Sequence, residues 1–497
     1  MMGVPGVAFC SRQGRSSPIR PGARLKTRRY SSEMEKNTHL DALFNPTAVA
    51  IVGASRDERK AGGSFIKSLM SNGFEGSFYA VNPKETEIMG LKAYSSVSDI
   101  PGELDLVVIT TPARAIPKVM VECAGKRVKA VIIFSAGFRE AGAEGRALEK
   151  QVLDAAREGG TRIIGPNCMG VFNPEKGLNT IVAHTETSRE GGHNSFIGQS
   201  GWASENFIVA GSDRGLRFSK VVSCGNQADL TVTDYLHYLG EDPQTRFIGA
   251  YMEGLAKGRE FFRVAEDVSK RKPIAIWKAG KSNAGARAVA SHTASLAGAD
   301  GVWDAAFNQA GIIRAAQFYE LVDFAAAFDS PHLPKGNRVG LIGEAGGGGS
   351  AGSDACEGAG LRVHEFSEAL QRQLKDCLKG SAAPFSSVRN PVDLVSASHD
   401  GYSEFISQCV ELMAPAVDAL IFFTYQPLAD NAFLDVLEKL RAKIKKPIVV
   451  VPGYATRQAP GMVQYIRRGL PALPTPERAA RAIAALWQYA EYLEEQR

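Results

Sequence analysis

The sequence lacks the features of a disulfide-rich or a membrane-spanning protein. Its seven cysteines are scattered, odd in number and free of any C-x-x-C pair, which argues against a disulfide framework or a zinc site and favours a reducing compartment. No apolar run reaches the roughly 18–20 residues that a helix needs to cross a bilayer. The rest of the composition, with 44% hydrophobic and 22% charged residues, is ordinary for a globular protein.

Acidic residues are absent from positions 1–32, where seven basic side chains lie. Without them the net charge of +5 falls to about −2, so the charge gives no reason to expect a nucleic-acid partner. The leader at residues 1–39 has two interpretations: it contains a mitochondrial transit peptide, or residues 1–33 are a mis-assigned extension ahead of a true start at Met34. We favour the second, with a cytoplasmic protein, and we expect this leader to be disordered in either case.

The length of 497 residues suggests about three domains. Short apolar strands alternate with helices, which predicts an α/β fold with doubly wound parallel sheets. We expect a leader at 1–39 and domains at 40–188, 189–330 and 337–497. The predicted strands are 48–52, 77–81, 106–110, 130–134, 162–164, 194–197, 218–222, 247–251, 274–277, 338–342, 361–363, 419–424 and 448–451, with helical stretches at 300–324 and 476–493.

The strand ends of the first domain favour a nucleotide-like ligand. Gly53 and Ser55 follow the first strand, although the G-x-G-x-x-G fingerprint is absent. The second strand ends in Asn-Pro-Lys84, where a dinucleotide-binding protein carries an acid for a ribose hydroxyl. A lysine there fits the 3′-phosphate of coenzyme A (CoA); the alternative is a solvated surface lysine. Small or polar residues also follow three further strands.

The second and third domains contain turns that fit anions. Ser200 and Gly201 lie between a strand and a helix, where backbone N–H groups and the helix dipole attract a phosphate. The alternative is an ordinary helix cap. Gly346 and Gly347 form a similar turn in the third domain, which is not a Walker A loop because no Gly-Lys-Ser/Thr follows. Glu253 ends another strand of the second domain.

His292 lies among small residues, in Ala-Val-Ala-Ser-His-Thr-Ala. We expect a flexible, cationic loop to lead from the strand at 274–277 towards it. Ligands of open α/β sheets bind at the carboxyl ends of strands, and a neutral imidazole is a nucleophile. His292 is therefore a candidate phosphoryl acceptor, with Glu253 as the carboxylate that orients it; the alternative is a solvated loop histidine.

The order of these motifs resembles that of the NDP-forming acyl-CoA synthetases, which are relatives of succinyl-CoA synthetase. The matching motifs are Val-Gly-Ala-Ser, Asn-Pro-Lys, Ser-Ala-Gly-Phe, Gly-Pro-Asn-Cys-x-Gly, Gln-Ser-Gly, Glu-Gly, Ser-His-Thr and Ala-Gly-Gly. From about residue 40 onwards the chain resembles in particular the α subunits of ADP-forming acetate–CoA ligases. The resemblance implies a Rossmann-like CoA-binding domain followed by two flavodoxin-like ligase domains.

The resemblance also implies roles for particular residues. His292 corresponds to the phosphorylated histidine and Glu253 to its orienting carboxylate. The other implied positions bind phosphate (Ser200, Gly201, Gly346 and Gly347) or CoA (Gly53, Ser55, Lys84, Pro112, Asn167 and Cys168). The chain departs from the family pattern at Ala294, at Gly348 and at Trp202, which is bulkier than expected and leaves the identity of the acid open.

The implied activity interconverts a carboxylic acid, CoA and ATP with acyl-CoA, ADP and phosphate through an acyl phosphate and a phosphohistidine. No ATP-grasp pattern is present, so ATP and Mg²⁺ are expected on a separate ATP-grasp β subunit, in an α2β2 assembly without nucleic acid, a metal of its own or a membrane. Two alternatives remain: a CoA-dependent lyase or transferase, and an acyl-CoA sensor. The acid, the physiological direction and the choice of ADP or GDP are left open.

Overall fold

The computed structural model describes residues 40–181, 189–293, 300–344, 346–377, 386–394, 402–429 and 431–497, without the side chains of 290–293 and 402. The predicted leader at 1–39 lies outside these ranges. Three mostly parallel sheets with flanking helices confirm the α/β prediction.

The first sheet has the strand order β3-β4-β2-β1-β5-β6-β7, and all neighbours are parallel except β3 and β4. Its strands are β1 (Ala48–Val52), β2 (Ser77–Val81), β3 (Glu87–Ile88), β4 (Leu91–Tyr94), β5 (Leu106–Ile109), β6 (Ala130–Ile133) and β7 (Arg162–Ile164). Its helices are α1 (Ala61–Ser71), α2 (Ile116–Gly125) and α3 (Ala143–Gly159). Strands β5 and β6 are buried at every position, which explains their unbroken apolar sequences.

The second sheet has the order β14-β13-β12-β10-β11-β8-β9. Its strands are β8 (Gly170–Asn173), β9 (Leu178–Asn179), β10 (Asn194–Gly198), β11 (Phe218–Ser223), β12 (Phe247–Met252), β13 (Ile274–Lys278) and β14 (Ile312–Arg314). Its helices are α4 (Gly201–Asp213), α5 (Val232–Glu241), α6 (Gly258–Ser269), α7 (Asn283–Thr293), α8 (Asp300–Gln309) and α9 (Phe318–Phe328). Strands β10 to β14 are parallel, whereas β8 is antiparallel to both β11 and β9.

The third sheet has the order β16-β17-β15-β18-β19, with only the β16–β17 pair antiparallel. Its strands are β15 (Val339–Gly343), β16 (Ser387–Val388), β17 (Val392–Asp393), β18 (Ala419–Thr424) and β19 (Ile448–Pro452). Its helices are α10 (Gly346–Gly358), α11 (Glu368–Cys377), α12 (Tyr402–Met413), α13 (Asn431–Ile444), α14 (Ala455–Arg467) and α15 (Pro476–Glu495).

Two predicted elements differ from the structure. The helical stretch at 300–324 is interrupted by β14, because Gly311 has a φ of +67° and turns the chain out of α8. The predicted strand at 361–363 is only a single bridge between Arg362 and Arg338.

The β8–β9 hairpin (Gly170–Asn179) joins the second sheet although the predicted boundary places it in the first domain. It also contacts the first domain, since the Ser68 hydroxyl donates a hydrogen bond to the Asn179 carbonyl at 2.8 Å. The predicted domain boundaries stay predictions, but this hairpin connects the two domains physically.

A second connection forms where residues 226–230 run beside the end of β7. The N–H groups of Asn226 and Ala228 donate to the carbonyls of Pro166 and Gly165, both at 2.9 Å. The Arg162 guanidinium donates two hydrogen bonds to the Asp229 carboxylate, at 2.8 and 3.0 Å. Backbone and side-chain contacts therefore join the first two sheets directly.

The second and third domains meet along α9 and α15. Asp323 on α9 is 1% exposed and accepts hydrogen bonds from the guanidinium groups of Arg214 and Arg478. Glu320, one turn earlier, accepts from Arg481 at 3.1 Å. Charged groups that pair with one another inside this interface fix the orientation of the third domain.

Candidate active site

The carboxyl ends of the first two sheets face a common cavity of about 570 Å³. Its walls come from the loops after β5, β6 and β7 in the first sheet and after β10 and β11 in the second. The lining residues are Thr110, Phe134, Ser135, Ala136, Asn167, Cys168, Met169, Gln199, Ser200, Gly201, Trp202, Gly225 and Asn226. Four of the predicted site residues, Asn167, Cys168, Ser200 and Gly201, are therefore brought together here.

Gly53 lies at the end of β1 and cannot be replaced without rearrangement. Its φ is +85°, and a Cβ atom would lie 2.5 Å from the hydroxyl of Thr110, which lines the cavity. A Cβ on Gly62 of α1 would lie 2.1 Å from the Gly53 carbonyl. Between Gly53 and the start of α1 at Ala61, the loop consists mainly of polar and charged residues of both signs.

Ser55, Lys84 and Pro112 lie at the same edge of the first sheet but are not among the lining residues of the cavity. The Ser55 hydroxyl accepts a hydrogen bond from the Asp57 N–H at 3.1 Å. Lys84 is exposed, and its N–H donates to the Asn82 side chain at 2.9 Å. Because Asn82 also donates to the Ala54 carbonyl at 2.9 Å, the turn that carries Lys84 is fixed beside the Gly53 loop.

Asn167 and Cys168 belong to a tight turn after β7. Asn167 has a φ of +57°, and its N–H donates to the Ser135 carbonyl at 3.1 Å. Cys168 is 4% exposed, and burial raises the pKa of its thiol to about 12. The thiol therefore stays protonated at neutral pH, which makes it a wall of the cavity and a poor nucleophile.

Ser200 and Gly201 form the start of α4, with Ser200 as the N-cap. Ser204 is the first residue of this turn whose N–H donates to a preceding carbonyl, that of Ser200. The N–H groups of the helix start therefore lack intrahelical partners and point towards the cavity end of the helix. A Cβ on Gly201 would lie 2.7 Å from the Met169 side chain, so the two domains are in close contact here.

Glu253 is 3% exposed and follows β12. Its side chain accepts a hydrogen bond from the Tyr251 hydroxyl at 3.2 Å. The Gln199 amide fixes the backbone of the turn: its oxygen accepts the N–H groups of Glu253 and Gly254, and its nitrogen donates to the Gly254 carbonyl at 2.7 Å. Gln199 thus connects the backbone of the Glu253–Gly254 turn to the Ser200–Gly201 turn.

His292 lies in α7, and its side chain is outside the described residues. The predicted flexible loop is wrong for 283–293, because the alanine-rich sequence has high helix propensity. The Ser282 hydroxyl accepts the N–H of Gly285 at 3.1 Å and caps the first turn. Helix α7 follows β13, which pairs with β12, so the segments that carry His292 and Glu253 leave adjacent strands.

Lys278, the last residue of β13, is a buried cation at this edge. Its ammonium lies 5.0 Å from the Trp303 ring centre and donates to the Ala279 carbonyl. Desolvation lowers the pKa of Lys278, although Asp300 and Glu253 act in the opposite direction.

Gly346 and Gly347 begin α10 in the third domain. Gly346 lines a separate cavity of about 170 Å³, and a Cβ there would lie 2.8 Å from an oxygen of Asp393. This predicted anion turn and the Ser200–Gly201 turn therefore line different cavities. The roles of all these residues stay predictions.

Sequence reasoning missed the residues that close the cavity between the domains. The Asn226 side chain donates to Glu140, whose carboxylate also accepts the N–H of Gly137 at 2.7 Å. Burial opposes the charge, but these hydrogen bonds lower the pKa of Glu140. The only signal in the sequence was the Gly225-Asn226 pair after a strand. In the structure this glycine allows a close approach, because a Cβ on Gly225 would lie 2.4 Å from the Asn167 carbonyl.

The described part of the chain contains no helix with the length and hydropathy of a membrane span. Among the same residues, no three His, Cys, Asp or Glu side chains come together as metal ligands would.

Two family models match the chain. One described as a CoA binding domain matches residues 47–174, and one described as a succinyl-CoA ligase like flavodoxin domain matches residues 191–328. Together with the cavity between these segments, they define a CoA-binding α/β protein of the succinyl-CoA ligase type.

The chain is 38% identical to the ADP-forming acetate–CoA ligase II α subunit of Pyrococcus furiosus, over 91% of this chain and 98% of that one. It is 37% identical to the ADP-forming acetate–CoA ligase I of Archaeoglobus fulgidus, of which it spans 64%. The structure of a Ca. Korarchaeum cryptofilum acetyl-coenzyme A synthetase 1 with phosphate and ADP matches with a TM-score of 0.81 and 32% identity, over 92% of this chain and 98% of that chain. The chain belongs to the family of ADP-forming acetate–CoA ligase α subunits, which confirms the family resemblance.

Proposed function

We propose that this chain is the α subunit of an acid–thiol ligase that interconverts a carboxylic acid, CoA and ATP with acyl-CoA, ADP and phosphate. The observation that supports the proposal best is the cavity between the first two domains, where the turn of Asn167 and Cys168 faces the helix start at Ser200 and Gly201. Backbone N–H groups of such a helix start bind phosphoryl oxygens.

In the ligase direction, His292 carries a phosphoryl group received from ATP. A carboxylate oxygen of the acid attacks the phosphorus, the P–N bond breaks, and the acyl phosphate forms. The CoA sulfur then attacks the acyl carbon, loses its proton, and phosphate leaves. Splitting the condensation into two transfers replaces one difficult step with easier ones.

The chain's own groups position and stabilise these reactants. Glu253 orients the His292 imidazole by accepting a hydrogen bond from one ring nitrogen. The helix starts at Ser200–Gly201 and Gly346–Gly347 stabilise phosphoryl charge. CoA would lie along the first domain, where the close-packed loop at Gly53 and the exposed Lys84 fit its phosphates. The residues proposed to hold it are Gly53, Ser55, Lys84, Pro112, Asn167 and Cys168.

The proposed partner is a β subunit with an ATP-grasp fold that binds ATP and Mg²⁺, in an α2β2 assembly. We place the enzyme in the cytoplasm; in the described part the six cysteines are free, which agrees with a reducing compartment. We also propose domains at 40–188, 189–330 and 337–497, with phosphohistidine chemistry in the second.

The test is transfer of labelled phosphate to the purified chain. We expect the chain alone to be labelled by an acyl phosphate, in an acid-labile and base-stable form, and to be labelled by ATP only after the β subunit is added. His292→Ala should abolish labelling but not CoA binding, with His237→Ala as a matched control that retains both. A lyase, a transferase or a sensor would show no histidine labelling, and efficient labelling by ATP without a partner would refute the division into subunits.

A further inference from the structure

Trp202 leaves a large apolar surface uncovered inside the cavity. Its side chain lines the cavity and the residue is 55% exposed. Folding normally buries an indole, because apolar area in water is unfavourable. An exposed aromatic side chain in a concave site is typical of a ligand contact.

Three further aromatic residues form a cluster with Trp202. Its ring centre lies 5.3 Å from that of Phe318 and 6.4 Å from that of Trp277. Trp277 in turn lies 5.1 Å from Tyr251 and 5.8 Å from Phe318. We call Trp202, Tyr251, Trp277 and Phe318 the aromatic wall. Phe318 is buried, and the Tyr251 hydroxyl donates to Glu253, so the wall is anchored at both ends.

The wall stands beside the proposed phosphoryl site. Trp202 is the second residue of α4, so its indole starts within one helical turn of the N–H groups at Ser200 and Gly201. An acyl phosphate whose phosphoryl group binds at those N–H groups has its organic part within reach of the indole. A single methyl group covers little of that surface, whereas a ring covers much more, and the apolar gain grows with covered area.

We propose that the aromatic wall makes this enzyme selective for carboxylic acids with an aromatic or similarly broad apolar group, in preference to acetate. This inference rests on the proposed function and specifies its substrate class. Trp202 acts as the specificity-determining contact, while Trp277 and Phe318 hold its ring in place.

The experiment compares phenylacetate with acetate in the complex of the chain and its β subunit. The readout is the ratio of the two kcat/KM values, from CoA-dependent ADP release. We expect wild type to favour phenylacetate, and Trp202→Ala to lower the ratio by at least about tenfold, within the range reported for apolar pockets. Trp202→Phe, which keeps a flat ring, should hold the ratio within about threefold. Tyr454→Ala removes an exposed aromatic of the third domain, outside the cavity lining and the aromatic wall, and should leave the ratio unchanged.

A preference of wild type for acetate, or an unchanged ratio in Trp202→Ala, would overturn the proposal while leaving the ligase function intact. Equilibrium dialysis of labelled phenylacetate against each variant tests the role of the aromatic wall separately from the ligase function. Binding that is lost in Trp202→Ala but kept in Trp202→Phe supports the wall even if no thioester forms, an outcome that would refute only the ligase function. Equal binding by wild type and Trp202→Ala would overturn the proposal that the aromatic wall binds the organic group of the acid.

Discussion

Glu253 is a buried residue after β12: the Tyr251 hydroxyl donates to its carboxyl group, and the Gln199 amide oxygen accepts its backbone N–H. Glu253→Gln keeps the shape and removes the charge. We expect phosphorylation of the histidine by an acyl phosphate to slow more than about tenfold, since roughly 1.4 kcal/mol of a charge-assisted contact is lost. Rapid-quench labelling measures this rate. Tyr251→Phe removes only one hydrogen bond and should slow the reaction less; an unchanged rate in Glu253→Gln would show that the carboxylate has no orienting role.

We propose Lys84 as the residue that distinguishes a CoA site from a generic nucleotide site in this chain. It is exposed, on a turn fixed by Asn82. We expect Lys84→Ala to weaken CoA on the order of tenfold and dephospho-CoA hardly at all, because only CoA carries the 3′-phosphate. Calorimetric titration of both ligands measures the difference. Lys92→Ala, an exposed cation elsewhere on the first sheet, is the control, and equal losses for the two ligands would place Lys84 away from that phosphate.

Single residues at strand ends were the most predictable part of the candidate site. Asn167, Cys168, Ser200 and Gly201 follow apolar strands, and parallel strands bring their carboxyl ends to one edge. Gln199 was not predicted to fix Glu253, because they are 54 positions apart and their contact depends on how β10 and β12 pair.

At the scale of elements, the two helices α9 and α15 determine where the third domain lies. Asp323→Ala would leave Arg214 and Arg478 without their buried carboxylate partner. Breaking such a buried network costs about 3–5 kcal/mol, so we expect a clear fall in Tm by calorimetry. Glu368→Ala disrupts an exposed pair with Arg372 and should hardly change Tm. A similar Tm for both variants would show that apolar packing alone holds the interface.

Strands with continuous apolar sequence were predicted closely, and β1, β2 and β7 have the predicted bounds. The β8–β9 hairpin was missed because its strands are short and because β8 pairs with β11, about fifty residues further along the chain. Local patterns contain no information on such a partner. For the same reason α7 was expected to be a loop: its small residues have no apolar periodicity, and alanine propensity determined the outcome.

At the scale of the whole molecule, the cleft between the first two domains is fixed by the contacts of residues 226–230 and by the shared hairpin. We expect CoA to bind without domain closure, so that small-angle X-ray scattering profiles with and without CoA coincide and backbone shifts stay within about 1 Å. Asp229→Ala, which removes the partner of Arg162, should make the profile respond to CoA. Compaction of wild type on adding CoA would reveal a hinge instead.

The β8–β9 hairpin also limits how this architecture can be rearranged by recombination. A crossover between the two family-matched segments, after residue 174, separates β9 from β8 and leaves one edge of the second sheet incomplete. A crossover before the hairpin exposes the β11 edge unless the incoming segment supplies an equivalent strand, and an unpaired edge promotes aggregation. We therefore expect the first two domains to tolerate exchange only as one module spanning residues 40–328.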